Sequence, residues 1–266
     1  MLQKWMLIFF LIILPMEADW KKLKDGIFYK KTMYNFEENR KVLLHSFKLE
    51  QNKFKILIKS FHDLNRSKNI TLKDLRIKNN YLITISGGFY LPERGYQSPQ
   101  GLVIENKQKI FPVDNKLSGV IWIKNNFLTL SKTSELPMNE PNLIYGMDYA
   151  IQGYPRIVDP INKIGIRKQG KIFHRTAICT EMKNDNIILF ITDKKYDGIS
   201  LLELAKIAQN NQNFNCKIAI NLDGGPAPGI SVSPKLINLE IKEGWQLPNA
   251  IIFTENWSVN NSVSIR

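Results

Sequence analysis

Short apolar runs broken by polar and turn residues mark strands along this chain, and the last third is the most legible. Arg175 to Met182 reads as a strand, Lys183-Asn184-Asp185-Asn186 as a turn cluster, and Ile187 to Thr192 as a second strand. That second run is too short and too rich in β-branched residues for a helix, so the pair predicts a hairpin. Ser200-Leu201-Leu202-Glu203 has the form of a capping box. Positions 201, 204, 205 and 208 then put apolar side chains on one helical face. Lys217 to Leu222 is the next strand. A strand, a helix and a strand in that order predict a parallel crossover, a βαβ unit after the hairpin.

Upstream the signal is weaker. Trp20 to Lys31 and Leu43 to Lys59 alternate, most clearly at Phe54-Lys55-Ile56-Leu57-Ile58. Thr71-Leu72-Lys73-Asp74 places a capping hydroxyl three residues before an acid, which predicts a helix start. Tyr81 to Ile85 is a short strand that stops at Ser86-Gly87-Gly88, and Leu91 to Gly101 is a surface loop carrying Glu93 and Arg94. Further strands are expected at Gly101–Ile104, at Gly119–Leu130 with a turn at Asn125-Asn126, and at Arg156-Ile157-Val158. Ser131 to Pro141 is expected to be a loop.

Candidate chemistry gathers where apolar runs end in polar residues and glycine. Lys217 to Ile220 stops at Asn221-Leu222-Asp223-Gly224-Gly225, and Tyr81 to Ile85 stops at Ser86-Gly87-Gly88. Strand interiors disfavour Asp and Gly, so such strand ends are either tight Asp-Gly turns or parts of a site. Pairing Met182 with Ile187 across the hairpin sets Thr176 opposite Asp193 and brings Arg175 to the same sheet end. Parallel crossover strands carry Asn221 and Asp223 there too. A guanidinium grips phosphate, paired glycine amides can cradle anionic oxygens, and a carboxylate can serve an anomeric carbon. An Arg–Asp structural ion pair would explain the same residues without a ligand.

Composition narrows the picture further. The chain has 266 residues, 44% hydrophobic and 23% charged, ordinary globular values that allow one large domain or two small ones. Its formal charge of +13 comes from dispersed lysines. They are not interleaved with aromatics, which disfavours nucleic acid and leaves anionic envelope glycans or plain solubility. Lys4 followed by apolar Trp5 to Leu14 and by Pro15-Met16-Glu17-Ala18 predicts a signal peptide over residues 1–18, too short to span a bilayer. Cleavage would release a periplasmic or secreted protein with no stable membrane span. On the expected strand levels Cys179 and Cys216 are too far apart to bridge, which predicts two buried free thiols. His45, His62 and His174 are isolated, with no metal-ligand spacing.

Taken in order, Ser86-Gly87-Gly88-Phe89-Tyr90, Arg175-Thr176-Ala177-Ile178, Asp197 to Ala205 and Asn221-Leu222-Asp223-Gly224-Gly225 resemble the phosphodiester glycosidase family, whose namesake is the uncovering enzyme. The resemblance runs from about Ile56 to Glu255. It implies a single mixed α/β (α+β) domain over residues 19–266, with a central mixed β-sheet and flanking helices. It also implies a glycosidase acting on the bond between a sugar's anomeric carbon and phosphate. Asp223 is then the expected catalytic carboxylate, with Asp193 second, and Arg175 with the Gly87-Gly88 amides stabilises the phosphate. Thr176, Gly224 and Gly225 fall in the family's motifs as substrate-binding positions. Asn221 and Ser86 would bind sugar hydroxyls, although the family usually has Asn where this chain has Ser86. The substrate would be a sugar phosphate or anionic glycan, and no cofactor or metal is called for. Two rivals stay open. One is a non-catalytic envelope glycan binder; the other is a phosphodiesterase using a metal on Asp193, Asp197 and Asp223.

Overall fold

The computed structural model describes residues 19–62, 70–95, 98–136 and 146–256. The expected signal peptide and part of the expected Ser131–Pro141 loop lie outside them. Three sheets form the fold. The largest has the order β1 (Lys21–Lys24), β2 (Ile27–Asn35), β3 (Lys41–Leu49), β14 (Ile187–Thr192), β13 (Thr176–Glu181), β15 (Cys216–Asn221), β11 (Arg156–Asp159) and β12 (Lys163–Ile164). A second runs β7 (Gln108–Phe111), β6 (Val103–Glu105), β10 (Tyr149–Gly153), β8 (Gly119–Lys124) and β9 (Phe127–Lys132). The third runs β17 (Glu240–Ile241), β16 (Ile230–Val232), β5 (Ile83–Ser86), β18 (Asn249–Glu255) and β4 (Phe54–Ser60). Two α-helices accompany them among the described residues, α1 (Leu72–Asn79) and α2 (Leu201–Gln209).

The expected mixed α/β fold is overturned. The protein is predominantly β, and the ladders between its named strands are antiparallel. The strand–helix–strand signal does describe a parallel crossover, but its two strands are not neighbours in the sheet. Strand β14 runs into α2 and then β15, and β15 lands beyond β13 rather than beside β14. Both flanking strands therefore run the same way, each antiparallel to the β13 between them. Burial on both faces makes these strands continuous apolar runs, the signature ordinarily carried by parallel sheets.

One face of β13 and β15 looks into the main core. Ile178, Ile218, Ile220 and Leu222 pack there with Ile83, Ile85, Ile121, Ile151 and Phe253 from the other two sheets. The opposite face presents Ala177, Cys179, Cys216 and Ala219 to Leu204, Ala205 and Ala208 of α2. Both helices start at the residues expected from their capping boxes, Thr71 with Asp74 and Ser200 with Glu203.

The expectation of free thiols is also corrected. Cys179 and Cys216 form a disulfide with a Cα–Cα distance of 5.8 Å. A bulge explains the error: Thr180 faces Ile218 but Glu181 faces Cys216, so Lys217 drops out of the count. Cys216 thereby comes to within two positions of Cys179 on the same face, a diagonal pair within bridging distance.

Candidate active site

The site is built from the ends of β13 and β15. Ala177 faces Asn221, and the Leu222 N–H donates to the Thr176 carbonyl at 2.9 Å. Continuing that register puts Arg175 across from Asp223. Strand alternation turns Ile178, Ile220 and Leu222 into the main core, so Arg175, Asn221 and Asp223 share the face on the α2 side. The sequence expectation brought Arg175, Asp193, Asn221 and Asp223 to one sheet end; Arg175, Asn221 and Asp223 share one face there, although the hairpin register differs by two residues. Thr180, not Met182, faces Ile187, and Thr176 faces Ile191.

Arg175 is held from several sides. Its backbone N–H donates to Thr192 Oγ1 at 2.9 Å, Nη2 donates to the Lys171 carbonyl at 2.9 Å, and Nε reaches the Ile199 carbonyl at 3.5 Å. Its guanidinium carbon stands 5.2 Å from the centre of the Phe173 ring. A Cβ on Gly224 would lie 3.0 Å from Arg175 Nη1, so the guanidinium passes where only glycine leaves room.

Asp223 is 7% exposed. Its Oδ1 accepts the Gly224 N–H at 2.9 Å, while Oδ2 is buried with no hydrogen-bond partner among the described residues. Burial raises its pKa to about 7, against the opposing pull of the Gly224 N–H and of Arg175. Burial also lowers the Arg175 pKa, with Asp223 opposing, but a guanidinium stays charged. Asn221 repeats the half-satisfied pattern. Its Nδ2 donates to the Tyr154 carbonyl at 2.7 Å, and its buried Oδ1 has no partner among the described residues. Buried polar atoms are ordinarily paired, so two orphan acceptors on one face beside a buried cation mark a place built for a donor.

The two glycine pairs meet, but their amides are already engaged. Asp223 N–H donates to the Gly87 carbonyl at 3.2 Å. Gly87 N–H goes to the Asn249 carbonyl, and Gly88 N–H to Asn249 Oδ1 at 2.7 Å. Gly224 N–H is held by Asp223, and Gly225 N–H by the His174 carbonyl. Gly87, Gly88 and Gly224 therefore serve close packing here, whereas Gly225 adopts a left-handed φ of 67° with open space beside it. A Cβ on Gly87 would lie 2.0 Å from Asn249 Oδ1. Gly87→Ala is expected to cost about 1–3 kcal/mol by overpacking, and Asn249→Ala, which removes the obstructing oxygen, should recover part of it. Thermal denaturation of the two single variants and the double variant reads this coupling; additive losses would discard the steric account.

Ser86 and Thr176 lie on the inner side. Both are fully buried, their hydroxyls 3.3 Å apart, and Ser86 Oγ accepts the Gly229 N–H. Asp193 also faces away from Arg175. Its Oδ2 pairs with His45 Nε2 at 3.2 Å, His45 Nδ1 meets the Tyr29 hydroxyl at 2.7 Å, and Oδ1 accepts the Lys195 N–H. Burial works against the Asp193 charge, yet the Lys195 amide and His45 hold its pKa below the ordinary carboxylate value. Asp197 Oδ2 accepts the Lys41 N–H. Asp193, Asp197 and Asp223 thus attend to separate partners. Sequence reasoning missed Asn249, Tyr154 and Phe173. Asn249 had a readable signal, since it opens the apolar run Ala250-Ile251-Ile252-Phe253 just as Asn221 closes one.

The phosphodiester glycosidase family model matches residues 79–254, which include the strands and glycine turns just described. This chain belongs to the phosphodiester glycosidase family. No curated protein matches it in sequence. Among solved structures it is similar to the catalytic domain of zebrafish N-acetylglucosamine-1-phosphodiester alpha-N-acetylglucosaminidase, auto-inhibited by its pro-peptide. That match has 16% identity and a TM-score of 0.67, covering 90% of this chain and 87% of the other. A hypothetical protein from Synechocystis matches at 14% identity and TM-score 0.59, covering 87% of this chain and 63% of that one. A candidate exported protein from Burkholderia pseudomallei matches at 10% and 0.60, covering 84% and 75%. At these identities the shared property is the fold. No helix among the described residues of this family member is long and apolar enough to cross a membrane.

Proposed function

We propose that this chain is an exported hydrolase cleaving the bond between a sugar's anomeric carbon and phosphate in a glycan or envelope phosphodiester. The reading rests on one observation: the Asp223 and Asn221 side chains each keep a buried acceptor oxygen unpaired beside the fixed Arg175 guanidinium. Hydroxyl donors of a sugar ring satisfy such oxygens, and the guanidinium complements the phosphate. Export is supported by the apolar Trp5–Leu14 segment behind Lys4 and by the Cys179–Cys216 disulfide, a bond that persists in oxidising compartments. The periplasm or the cell exterior is the proposed location.

In the proposed reaction a water oxygen bonds to the anomeric carbon as the bond from that carbon to the phosphate oxygen breaks. The bridging oxygen leaves with the phosphate monoester, and the water's second proton passes to it or to solvent. Arg175 stabilises the charge on the departing phosphate by fixed electrostatics. Asp223, titrating near neutrality, serves the anomeric centre by holding or accepting a proton at Oδ2. Asn221 Oδ1 accepts from a sugar hydroxyl. Asp193, on the other sheet face, would act through His45 and the Lys194-Lys195 turn as a positioning residue rather than at the reacting atoms.

A panel of sugar-1-phosphodiesters tests the assignment. Free sugar released in the presence of chelator supports it. Sugar phosphate released only with metal would identify a phosphodiesterase, and binding without turnover a glycan-binding protein. Arg175→Lys should reduce kcat/KM by about 10- to 100-fold, since a point charge cannot reproduce the planar fork. Steady-state kinetics at equal fold integrity decides it, and a wild-type value would remove Arg175 from the phosphate site.

A further inference from the structure

A surface cavity of about 510 Å³ opens beside the candidate centre, walled by Ile172, Phe173, Gly225, Pro226 and Gly244. It begins next to both arms of the site. Gly225 lies two residues beyond Asp223, and Phe173 carries the ring that faces the Arg175 guanidinium. Ile172 is 47% exposed and Phe173 44%, unusual openness for large apolar side chains flanking buried Arg175 and Asp223. Gly225 leaves open space where a Cβ would stand. Of the polar groups in the wall, the Lys194 ammonium is turned onto the carbonyls of Pro226 and Lys242 at 2.8 and 2.7 Å. His174 is the other; its carbonyl holds the Gly225 amide, and its imidazole Nδ1 lies 3.5 Å from Thr192 Oγ1. The cavity therefore offers an apolar surface in an otherwise lysine-rich protein, separated from the Arg175 guanidinium by the Phe173 ring that it shares with the site.

We infer that this cavity receives the alcohol half of the phosphodiester and that the half it accepts is an alkyl chain, so that the substrate class is a sugar-1-phosphate ester of an apolar alcohol. The inference rests on the proposed sugar–phosphate reading for its direction: a phosphate held by Arg175, with the sugar toward Asn221 and Asp223, points its second ester oxygen past Phe173 and Gly225. A polar alcohol such as glycerol finds few partners on Ile172, Phe173 and Pro226, whereas each methylene buried there leaves water.

Alkyl phosphate monoesters, the expected leaving products, test this without requiring turnover. Isothermal titration of the full protein with methyl phosphate and with octyl phosphate should show octyl phosphate binding at least roughly tenfold more tightly. Ile172→Ser, at a half-exposed position, should shrink that ratio, with circular dichroism confirming the fold. Equal affinities, or no binding of either, overturn the inference. A preference for octyl phosphate that Ile172→Ser leaves intact overturns it too, because the chain would then be held elsewhere. Failure of the sugar-1-phosphodiester panel with octyl selectivity retained would instead fault the proposed reaction and leave the alkyl site standing.

Discussion

Asp223→Asn should abolish turnover while making the protein more stable at neutral pH. The activity loss is expected to exceed about 100-fold, the lower range for a group that handles a proton in the transition state. The stability gain follows from burial. The folded-state pKa of Asp223 is raised from an ordinary 3.8 to about 7, so the folded protein keeps a proton that the unfolded chain has released. Stability associated with this group is full below about pH 4, declines as pH rises toward 7, and is constant beyond. The span corresponds to about 4 kcal/mol at 1.36 kcal/mol per unit. Asn cannot ionise, so the variant escapes this decline. Urea denaturation of both proteins between pH 4 and 8, together with the kinetic assay, gives the result. An unchanged kcat/KM would remove Asp223 from the chemistry, and an identical pH slope in the variant would assign the linkage to another group. Exchange of stability for activity at one carboxyl is the usual mark of a working site.

Loss of the Cys179–Cys216 bond should produce the largest destabilisation. It closes a segment with a sequence separation of 37 residues, for which chain entropy gives about 4 kcal/mol. For a domain of this size that corresponds to a drop in Tm of roughly 10 °C. The double variant Cys179→Ala/Cys216→Ala and the reduced wild type should show similar shifts by calorimetry. Two thiols titrating in denatured, unreduced protein would mean that the bond does not form. The bond ties β13 to β15, the strands that end in Arg175 and Asp223, so the variant should also lose activity at a lower temperature than the wild type.

Much of the site was legible because its signals are local. Asp223, Asn221 and the glycines interrupt apolar runs, and an interrupted run is visible without knowing what it packs against. Arg175 was reachable through hairpin geometry, since a register error of two residues still leaves it at the same sheet end. Asp193 was harder to read. Whether it joins Arg175 or turns to the opposite face depends on a single step of the strand's alternation, and His45, the partner that holds it, comes from β3, far away in the chain. Ser86 and the Gly87-Gly88 amides likewise read as ligand groups until Gly229 and Asn249 arrive to occupy them.

Residue pattern alone determined the elements: both capped helices, the hairpin of β13 and β14, and the apolar β15 ending in Asn and Asp. These depend on hydrogen bonds and side-chain periods within a few positions of each other. Only the tertiary structure decided that β15 inserts beyond β13, that a bulge brings Cys216 to Cys179, and that Asp193 faces away from Asp223. Those outcomes depend on which strand edge is free to pair and on the count of residues along it. A shift of one residue there exchanges the two faces of a strand, and nothing local in the chain records it.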